Sequence, residues 1–270
     1  MQANKQLIVH KPINANVSYL KLIHNYECIY VYEFSLDIDT ASKKICQDLQ
    51  LSCEKYLDRF LIVQPSCMTK ICEFWHDFFD FFFSEYEDII DIENNKQNIS
   101  FLFDTICANA TIHKNSEILD FACGTGLSVY VVKNVKLTGV DISDKMLNVA
   151  SSRGLQTICF NILKERYNYY DGIFSSYAFH LCTDNETLSA VWNALKTDAP
   201  LVVNFYKGLG VQAVNNFVQE RGGTIIEITN QHPNKKNNVS YLYIKNSLFF
   251  SYDEAKALYK SNSKLPSEYF

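Results

Sequence analysis

Residues 118–127 read Ile-Leu-Asp-Phe-Ala-Cys-Gly-Thr-Gly-Leu. The first four form a short apolar run of the kind found in buried strands. Small side chains at positions 122, 124 and 126 then permit a tight turn and the close approach of a ligand to the backbone. A helical pattern follows, and the free amides at the start of a helix favour polar ligand groups. This strand, loop and helix predict a nucleotide-like ligand at the loop.

Segments typical of strands and helices alternate after this loop. The strand-like segments are 118–121, 137–140, 157–160, 172–175, 201–205, 224–228 and 239–244, and the helix-like segments are 127–134, 144–152, 186–195 and 210–221. Such alternation predicts parallel strands joined by right-handed crossovers, with ligands bound at the carboxyl ends of the strands. We therefore expect a doubly wound α/β fold with a mostly parallel, seven-stranded sheet, and function in the loops that follow its strands.

A dinucleotide-binding loop is one interpretation of residues 120–127. The usual mark of such a loop is Gly-x-Gly-x-x-Gly. Counting from Gly124 places Val129 where the third glycine should stand. This departure weakens the dinucleotide interpretation.

Residues 120–126 resemble the first motif of the class I S-adenosylmethionine-dependent methyltransferases, in which an acidic residue stands two positions before a small-x-Gly-x-Gly loop. Asp120 is the acidic residue here, and Ala122 replaces the commoner glycine. Residues 139–143, Gly-Val-Asp-Ile-Ser, resemble the end of the family's second strand. The resemblance extends over residues 115–205, and it implies a Rossmann-like fold with S-adenosyl-L-methionine as the cofactor.

The resemblance also implies roles for individual residues. The carboxylate of Asp141 would accept hydrogen bonds from both ribose hydroxyls, while Ile142 and Met146 would cover the adenine. Asn161 would accept a hydrogen bond from the adenine amine, as a carboxylate does, with the backbone amide of Ile162 beside it. In full, the predicted cofactor-binding residues are Asp120, Ala122, Cys123, Gly124, Gly126, Asp141, Ile142, Met146, Asn161, Ile162 and Ser175.

Two side chains that follow the strand at 172–175 are predicted to be catalytic. Methyl transfer is an in-line displacement, so the protein mainly aligns the nucleophile and excludes water. A hydroxyl or protonated amine acceptor also needs a base, for which histidine is well suited. His180 is the predicted base, and Tyr177 is the predicted donor or substrate-facing aromatic. The structural alternatives are packing or helix capping for His180 and simple wall packing for Tyr177.

The acceptor is narrowed by motifs that the chain lacks. Residues 175–178 read Ser-Ser-Tyr-Ala, where enzymes that methylate base amines carry Asn/Asp-Pro-Pro-Tyr/Phe. The strand at 172–175 does not end in the carboxylate of a catechol-type magnesium site, so no metal is predicted. We expect a biosynthetic enzyme that methylates oxygen, nitrogen or carbon of a small-molecule substrate.

Two other functions stay open. An enzyme of the same fold that cyclises the aminocarboxypropyl chain of the cofactor would have much the same cofactor loops. A methyltransferase directed at a protein or carrier would use the N-terminal residues for docking. The cyclising enzyme would be recognised by its reaction products. The protein- or carrier-directed methyltransferase would be recognised because its turnover depends on a partner.

The secondary structure of the residues before the first motif is predicted from β-propensity and from the spacing of apolar residues. β-branched and aromatic residues dominate residues 6–10 and 28–34, which predicts a small sheet. After residue 39 the apolar residues recur near helical spacing. The predicted organisation is a small β-rich element at 1–38, a helical lid, substrate or dimerisation region at 39–112, the cofactor-binding domain at 113–250, and a C-terminal helical tail at 251–270.

An aromatic run at residues 74–86 stands out within the helical region. It is apolar on almost every side of a helix, which predicts burial against more than one surface, either between domains or in an oligomer. Helical spacing places four of its side chains on one face, where they would meet an apolar or cationic acceptor or simply pack in a core. These four are Trp75, Phe79, Phe82 and Tyr86. The polar residues 93–98 that follow predict a surface connection.

The composition and charge of the chain limit the kinds of partner that it is expected to bind. The chain of 270 residues has a net charge of −5 and no dense stripe of Lys and Arg, which argues against nucleic acid as the primary partner. No apolar run has the length of a membrane span, and the N-terminal residues lack a signal-like layout, so no membrane partner and a cytoplasmic location are expected. Nine cysteines without a Cys-x-x-Cys pair predict reduced thiols rather than a zinc site. The N-terminal region is also a candidate for a homodimer contact.

Overall fold

The computed structural model describes residues 5–11, 13, 15, 17–56, 59–65, 68–233 and 238–246. The predicted helical tail at 251–270 lies outside the described residues. Within them the chain forms one five-stranded and one seven-stranded sheet.

The five-stranded sheet is built from the N-terminal part of the chain. Its strands are β1 (Lys5–His10), β2 (Lys21–Asn25), β3 (Ile29–Phe34), β4 (Glu54–Tyr56) and β5 (Phe60–Val63). Their spatial order is β2-β3-β1-β5-β4. β1 pairs antiparallel with β3 and parallel with β5, so β1 lies at the centre.

Both faces of this N-terminal sheet are covered by helices. Helix α1 (Ile38–Leu49) packs on one face, where its Ala41 and Ile45 meet Leu7 and Leu61. Helix α2 (Met68–Phe82) packs on the opposite face against residues that alternate with these. Because side chains of a strand point alternately to the two faces, β1 and β5 read as continuous apolar runs.

The prediction that residues 39–112 are helical is wrong for residues 54–56 and 60–63, which form β4 and β5. The run Phe60-Leu61-Ile62-Val63 is buried in all four positions and pairs with β1, more than fifty residues earlier in the chain. A short apolar run does not distinguish a buried strand from part of a helix by periodicity. The pairing of this run with β1 makes it a strand.

The aromatic run of α2 lies between the two sheets. Phe74 and Phe78 pack on the N-terminal sheet, while Asp80, near the end of the same helix, accepts a hydrogen bond from the hydroxyl of Ser143 in the second part of the chain. This is the between-domain burial that the sequence predicted as one of two possibilities.

Two helices connect α2 to the second sheet. They are α3 (Tyr86–Ile89) and α4 (Ile92–Asn109). Asp91 caps α4, since its side chain accepts a hydrogen bond from the backbone N–H of Asn94. The surface connection predicted at 93–98 is therefore wrong, because these residues form the first turns of a helix in which Asn98 is fully buried.

The second sheet has seven strands. They are β6 (Glu117–Phe121), β7 (Lys136–Asp141), β8 (Gln156–Cys159), β9 (Gly172–Ser175), β10 (Pro200–Tyr206), β11 (Thr224–Glu227) and β12 (Asn238–Ile244). Their order is β11-β12-β10-β9-β6-β7-β8, in which β12 alone runs antiparallel to its neighbours. The predicted doubly wound, mostly parallel α/β fold is confirmed.

The chain order reverses between β6 and β9, and this reversal locates the site. β6 is followed outward by β7 and β8, and the chain then returns to the other side of β6 as β9. In open α/β sheets the crevice at such a switch point, outside the carboxyl ends of the strands, is where ligands bind.

Five short helices complete the second part of the chain. They are α5 (Ser128–Val131), α6 (Asp144–Ser152), α7 (Phe160–Lys164), α8 (Asn185–Ala194) and α9 (Val211–Glu220). α5 is shorter than the predicted helix at 127–134, because Val132 already has an extended backbone, with φ −86° and ψ 122°, and ends the helix. Among the described residues, no helix combines the length and apolarity that a bilayer crossing requires.

Candidate functional site

The loop between β6 and α5 has the tight backbone that its small residues predicted. Ala122, Gly124 and Gly126 have φ angles of 58°, 51° and 79°. The left-handed conformation costs a residue with a Cβ roughly 1–2 kcal/mol, so glycine suits these positions and Ala122 is strained. The backbone N–H of Cys123 donates to Val140 O at 2.9 Å, which fastens the loop to β7.

The two glycines of the loop face different surroundings. A Cβ on Gly126 would lie 2.8 Å from Ala150 Cβ and 2.9 Å from Ala150 Cα, so this glycine packs the loop against α6. A Cβ on Gly124 would meet only the Tyr86 ring, at 3.8 Å. Gly124 therefore faces open space beside Tyr86, whereas Gly126 is closed off by backbone.

Asp141, the last residue of β7, is tied to this loop. Its Oδ2 accepts a hydrogen bond from the backbone N–H of Gly124 at 2.8 Å, and its Oδ1 accepts one from the N–H of Ser143 at 3.0 Å. Burial raises the pKa of the carboxyl above its ordinary value, and these amides oppose the increase. A carboxylate has about four acceptor positions, so acceptor capacity remains for a ligand.

A cavity of about 270 Å³ opens above these groups, at the carboxyl ends of β6, β7, β8 and β9. We call it the first cavity. Six of the predicted site residues line it, namely Ala122, Gly124, Asp141, Ile142, Met146 and Tyr177. The predicted loop, the carboxylate and the apolar residues after β7 therefore meet at one place.

Several predicted cofactor-binding residues do not line this cavity. Asp120 is 2% exposed, and burial, with a smaller contribution from the charge of Asp141, raises its pKa to about 7. The side chain of Cys123 packs over Gly139, and burial raises the pKa of its thiol. Gly126 packs on α6, as described above. These three support the loop from behind.

The predicted contacts after β8 and β9 are shifted by one residue. β8 ends at Cys159, and Phe160 lines the cavity, while Asn161 and Ile162 are exposed and do not. Ser175 is fully buried at the end of β9, and Ser176 lines the cavity in its place. The exact end of each strand decides which side chain turns inward.

The N-terminal part of the chain supplies an aromatic wall that sequence reasoning only partly anticipated. Trp75, Phe79 and Tyr86 of the predicted aromatic face line the first cavity, as does Tyr56 of β4, which was not predicted. Phe82 does not line it, because its ring is 1% exposed and packs on Phe60 and Phe78. Nothing in the local sequence of β4 marks Tyr56 as a cavity residue.

Charged contacts hold this wall against the glycine loop. Glu87, in α3, binds the guanidinium of Arg153, with a Nη2 to Oε2 distance of 2.9 Å, and accepts a hydrogen bond from the hydroxyl of Thr125. The hydrogen bonds from Arg153 lower the pKa of Glu87. On α2, Asp80 accepts hydrogen bonds from Ser143 and Lys145. The N-terminal part thus closes over the cavity at two points.

A buried amide network supports the loop after β9. Asn98 Nδ2 donates to Ser176 Oγ at 2.6 Å and to Asn204 Oδ1 at 3.1 Å, and Asn98 Oδ1 is hydrogen-bonded to His232 Nε2. The same Asn204 Oδ1 accepts from the backbone N–H of Tyr177 at 2.8 Å. Tyr177 has a φ of 58°, and these bonds hold it there.

The hydroxyl of Tyr177 is also fixed. It accepts hydrogen bonds from Asn94 Nδ2 at 3.1 Å and from Asn238 Nδ2 at 3.0 Å. Asn94 lies in α4 and Asn238 in β12, so the ring is anchored from two separate elements. Tyr177 is therefore a rigid wall residue of the first cavity.

We expect Asn98→Ala to lower the free energy of unfolding by about 3 kcal/mol, because it leaves several buried polar groups without this partner. The exposed neighbour Gln97, on the same helix, provides the control, and Gln97→Ala is expected to change it by less than about 0.5 kcal/mol. Urea unfolding at pH 7 measures both. Equal effects of the two substitutions would show that the network does not hold the loop.

His180 does not line the first cavity. It lies in the 3-10 turn Phe179–Leu181 and lines a second cavity of about 320 Å³. Burial lowers the pKa of its imidazole to about 4, and its buried Nδ1 has no hydrogen-bond partner among the described residues. The ring is thus neutral at physiological pH, and none of the predicted cofactor residues lines the cavity that His180 lines.

Residues 118–198 match the family model described as a methyltransferase domain. This part of the chain is a methyltransferase domain. The chain is thus an enzyme that contains a methyltransferase domain, and S-adenosylmethionine is its cofactor. The matched residues span β6 to the loop before β10, which includes the glycine loop and Asp141.

Solved structures share the fold at low sequence identity. The magnesium protoporphyrin IX methyltransferase of Synechocystis PCC 6803, solved with bound SAM, is 13% identical with a TM-score of 0.50, and the match covers 68% of this chain and 100% of that chain. A SAM-dependent methyltransferase of Aquifex aeolicus is 16% identical with a TM-score of 0.46, and the match covers 60% of this chain and 98% of that chain. No curated protein sequence matches the chain. The methyltransferase domain thus has the common fold of its class.

The residues of the first cavity fit the cofactor. The Gly124 position offers room for a ligand to approach the backbone, Asp141 keeps acceptor capacity, and Ile142 and Met146 provide apolar surface next to it. These are the features that a ribose with an attached adenine requires. A cavity with aromatic walls also suits the cationic sulfonium.

Proposed function

We propose that this enzyme methylates a small molecule, with both reactants held in the first cavity and its surroundings. The observation that supports this most directly is the joint lining of one cavity by the glycine loop, Asp141 and the aromatic wall from the N-terminal part. A concave, largely apolar pocket of this kind suits a small acceptor better than an extended polymer.

In this proposal Asp141 binds the two ribose hydroxyls with its remaining acceptor positions. Ile142 and Met146 cover the adenine, and Phe160 contributes a ring where Asn161 and Ile162 were predicted. Tyr86, which packs beside Gly124, closes the opposite side. Asp120 and Cys123 act indirectly, by supporting the loop.

The bound cofactor supplies an activated methyl group on a sulfonium. The chain's own contribution is to align the acceptor with that group and to exclude water, which is where most of the rate enhancement in such displacements arises. Trp75 and Phe79 would exclude water and hold the acceptor. The lone pair of the acceptor would form the new bond to the methyl carbon as the electrons of the carbon–sulfur bond return to sulfur, and any acceptor proton would leave to a base or to water.

The two predicted catalytic residues are proposed to act from different cavities. Tyr177 faces the first cavity and would position the acceptor through its ring, since its hydroxyl already receives two hydrogen bonds. His180 faces the second cavity, so it acts as a base only toward an acceptor that extends there.

Titration calorimetry with S-adenosylmethionine and S-adenosylhomocysteine tests the cofactor site, with NAD as the control for a dinucleotide loop. We expect one site for each sulfur compound and none for NAD. Folded protein that binds neither sulfur compound would contradict the proposal.

Product analysis by mass spectrometry then tests the chemistry. Formation of S-adenosylhomocysteine together with a small methylated product is expected in a substrate screen. Methylthioadenosine would instead indicate cyclisation of the aminocarboxypropyl chain. Turnover that requires a protein or carrier would indicate a macromolecular acceptor.

A further inference from the structure

The second cavity adjoins the first. Four residues line both cavities, namely Tyr56, Trp75, Leu181 and Asp184. A ligand in the second cavity therefore lies directly beside a ligand in the first. Its volume of about 320 Å³ is in the range of small-molecule sites.

Both parts of the chain build this second cavity. The N-terminal part contributes Glu54 and Ile62 of the sheet and Gln64 just after β5, while the second part contributes Tyr206 at the end of β10 and residues His180, Thr183 and Leu209 that follow β9 and β10. The site exists only where the N-terminal sheet packs against the methyltransferase domain. None of its residues belongs to the predicted cofactor-binding set.

The charges that face the second cavity are predominantly negative. Glu54 and Asp184 line it, and neither carboxylate is in an ion pair with another described residue. Lys55 also lines it, but its ammonium is paired with Asp39. His180 adds no charge at neutral pH. Such a lining disfavours an anionic ligand and favours a cation.

Three aromatic rings stand beside these carboxylates. Tyr56, Trp75 and Tyr206 line the second cavity. Aromatic faces bind the apolar body of a ligand and also attract an organic cation. The combination of rings with unpaired carboxylates is the chemistry that recognises an amine on an aromatic body.

We propose that the second cavity binds an organic ammonium compound with an aromatic body, and that a lone-pair atom of this body, rather than the protonated nitrogen, accepts the methyl group from the cofactor's sulfur and loses any proton it carries to water. The ammonium pairs with Asp184 and Glu54, and the body packs between the aromatic rings. The inference rests on the proposed function, because the first cavity must hold the cofactor for the neighbouring ligand to be methylated.

A matched set of three indoles tests this proposal. Tryptamine, indole-3-acetate and 3-methylindole carry a cationic, an anionic and a neutral substituent on the same ring system. Each is titrated into the enzyme saturated with S-adenosylhomocysteine, and the dissociation constants are compared. We expect tryptamine to bind at least about tenfold more tightly than the other two, since one charged pair contributes about 1.4 kcal/mol or more.

Variants of the two carboxylates test whether the preference for tryptamine arises in the second cavity. Asp184→Asn keeps an oxygen for the hydrogen bond that Asp184 accepts from the N–H of Thr187 at 2.8 Å, so the cap of α8 is preserved. The double variant Asp184→Asn with Glu54→Gln is expected to lose the preference for tryptamine. Glu165→Gln, at an exposed position that lines neither cavity, is the matched control and is expected to retain it.

The outcomes separate the two proposals. If S-adenosylhomocysteine binds but tryptamine shows no preference, or if the preference survives in the double variant, the second cavity is not an ammonium site and only this inference fails. If S-adenosylhomocysteine does not bind to the wild-type enzyme, the proposed function fails first and this inference falls with it.

Discussion

Replacing Asp141 with alanine is expected to weaken S-adenosylhomocysteine binding by at least about 100-fold, which corresponds to roughly 2.7 kcal/mol. Two ribose hydroxyls would each donate to the carboxylate, and hydrogen bonds to charged groups contribute about 1.5–3 kcal/mol apiece. The substitution also removes the acceptors for the backbone N–H groups of Gly124 and Ser143. The loop then loses the contact that holds it next to β7.

Asp144→Ala is the matched control for this experiment. Asp144 lies three residues later, is exposed, and does not line the first cavity. Titration calorimetry on both variants, with circular dichroism to confirm folding, is expected to show a loss only for Asp141→Ala. Unchanged affinity in a folded Asp141→Ala variant would remove the ribose from the proposed site.

The two glycines of the loop are expected to respond differently to alanine. Gly126→Ala should lower the free energy of unfolding by about 3 kcal/mol, because its Cβ would lie within 3 Å of the Ala150 backbone and its φ of 79° is left-handed. Gly124→Ala should cost about 1 kcal/mol, since only the left-handed conformation opposes it. Its methyl group enters the first cavity, so cofactor affinity should fall although the protein folds.

Gly222→Ala isolates the conformational part of these effects. Gly222 has a φ of 68°, and a Cβ there would meet nothing within 4 Å. Urea unfolding should therefore rank Gly126→Ala as more damaging than Gly222→Ala by the cost of the clash alone. If the two variants are equally stable, α6 does not constrain the loop as the structure indicates.

Local sequence motifs predicted most of the residues that are proposed to bind the cofactor. A left-handed backbone demands small residues, and a carboxylate at the end of the next strand must stand beside the loop, because the carboxyl ends of neighbouring parallel strands meet at one edge. Ala122, Gly124 and Asp141, which were predicted to bind the cofactor, all line the first cavity. Asn161 and Ser175 do not line it, whereas their neighbours Phe160 and Ser176 do, since sequence patterns do not fix the exact end of a strand.

The burial of polar residues, in contrast, depends on partners that are distant in the chain. Asn98 lies in a polar stretch that predicts a surface connection, yet it is fully buried because Ser176, Asn204 and His232 satisfy its amide. All three partners lie more than seventy residues away along the chain. A buried amide is distinguished from an exposed one only by such partners.

The alternation of strands and helices from residue 118 onward determined the doubly wound sheet and the edge at which to look for a ligand, because secondary-structure periods and crossover handedness are local properties of the chain. Tertiary packing decided the rest. It placed β5 beside β1, carried Tyr56 and Trp75 to the cavity, and turned His180 away from it. These contacts join segments far apart in the chain, so their energies depend on partners that no local pattern records.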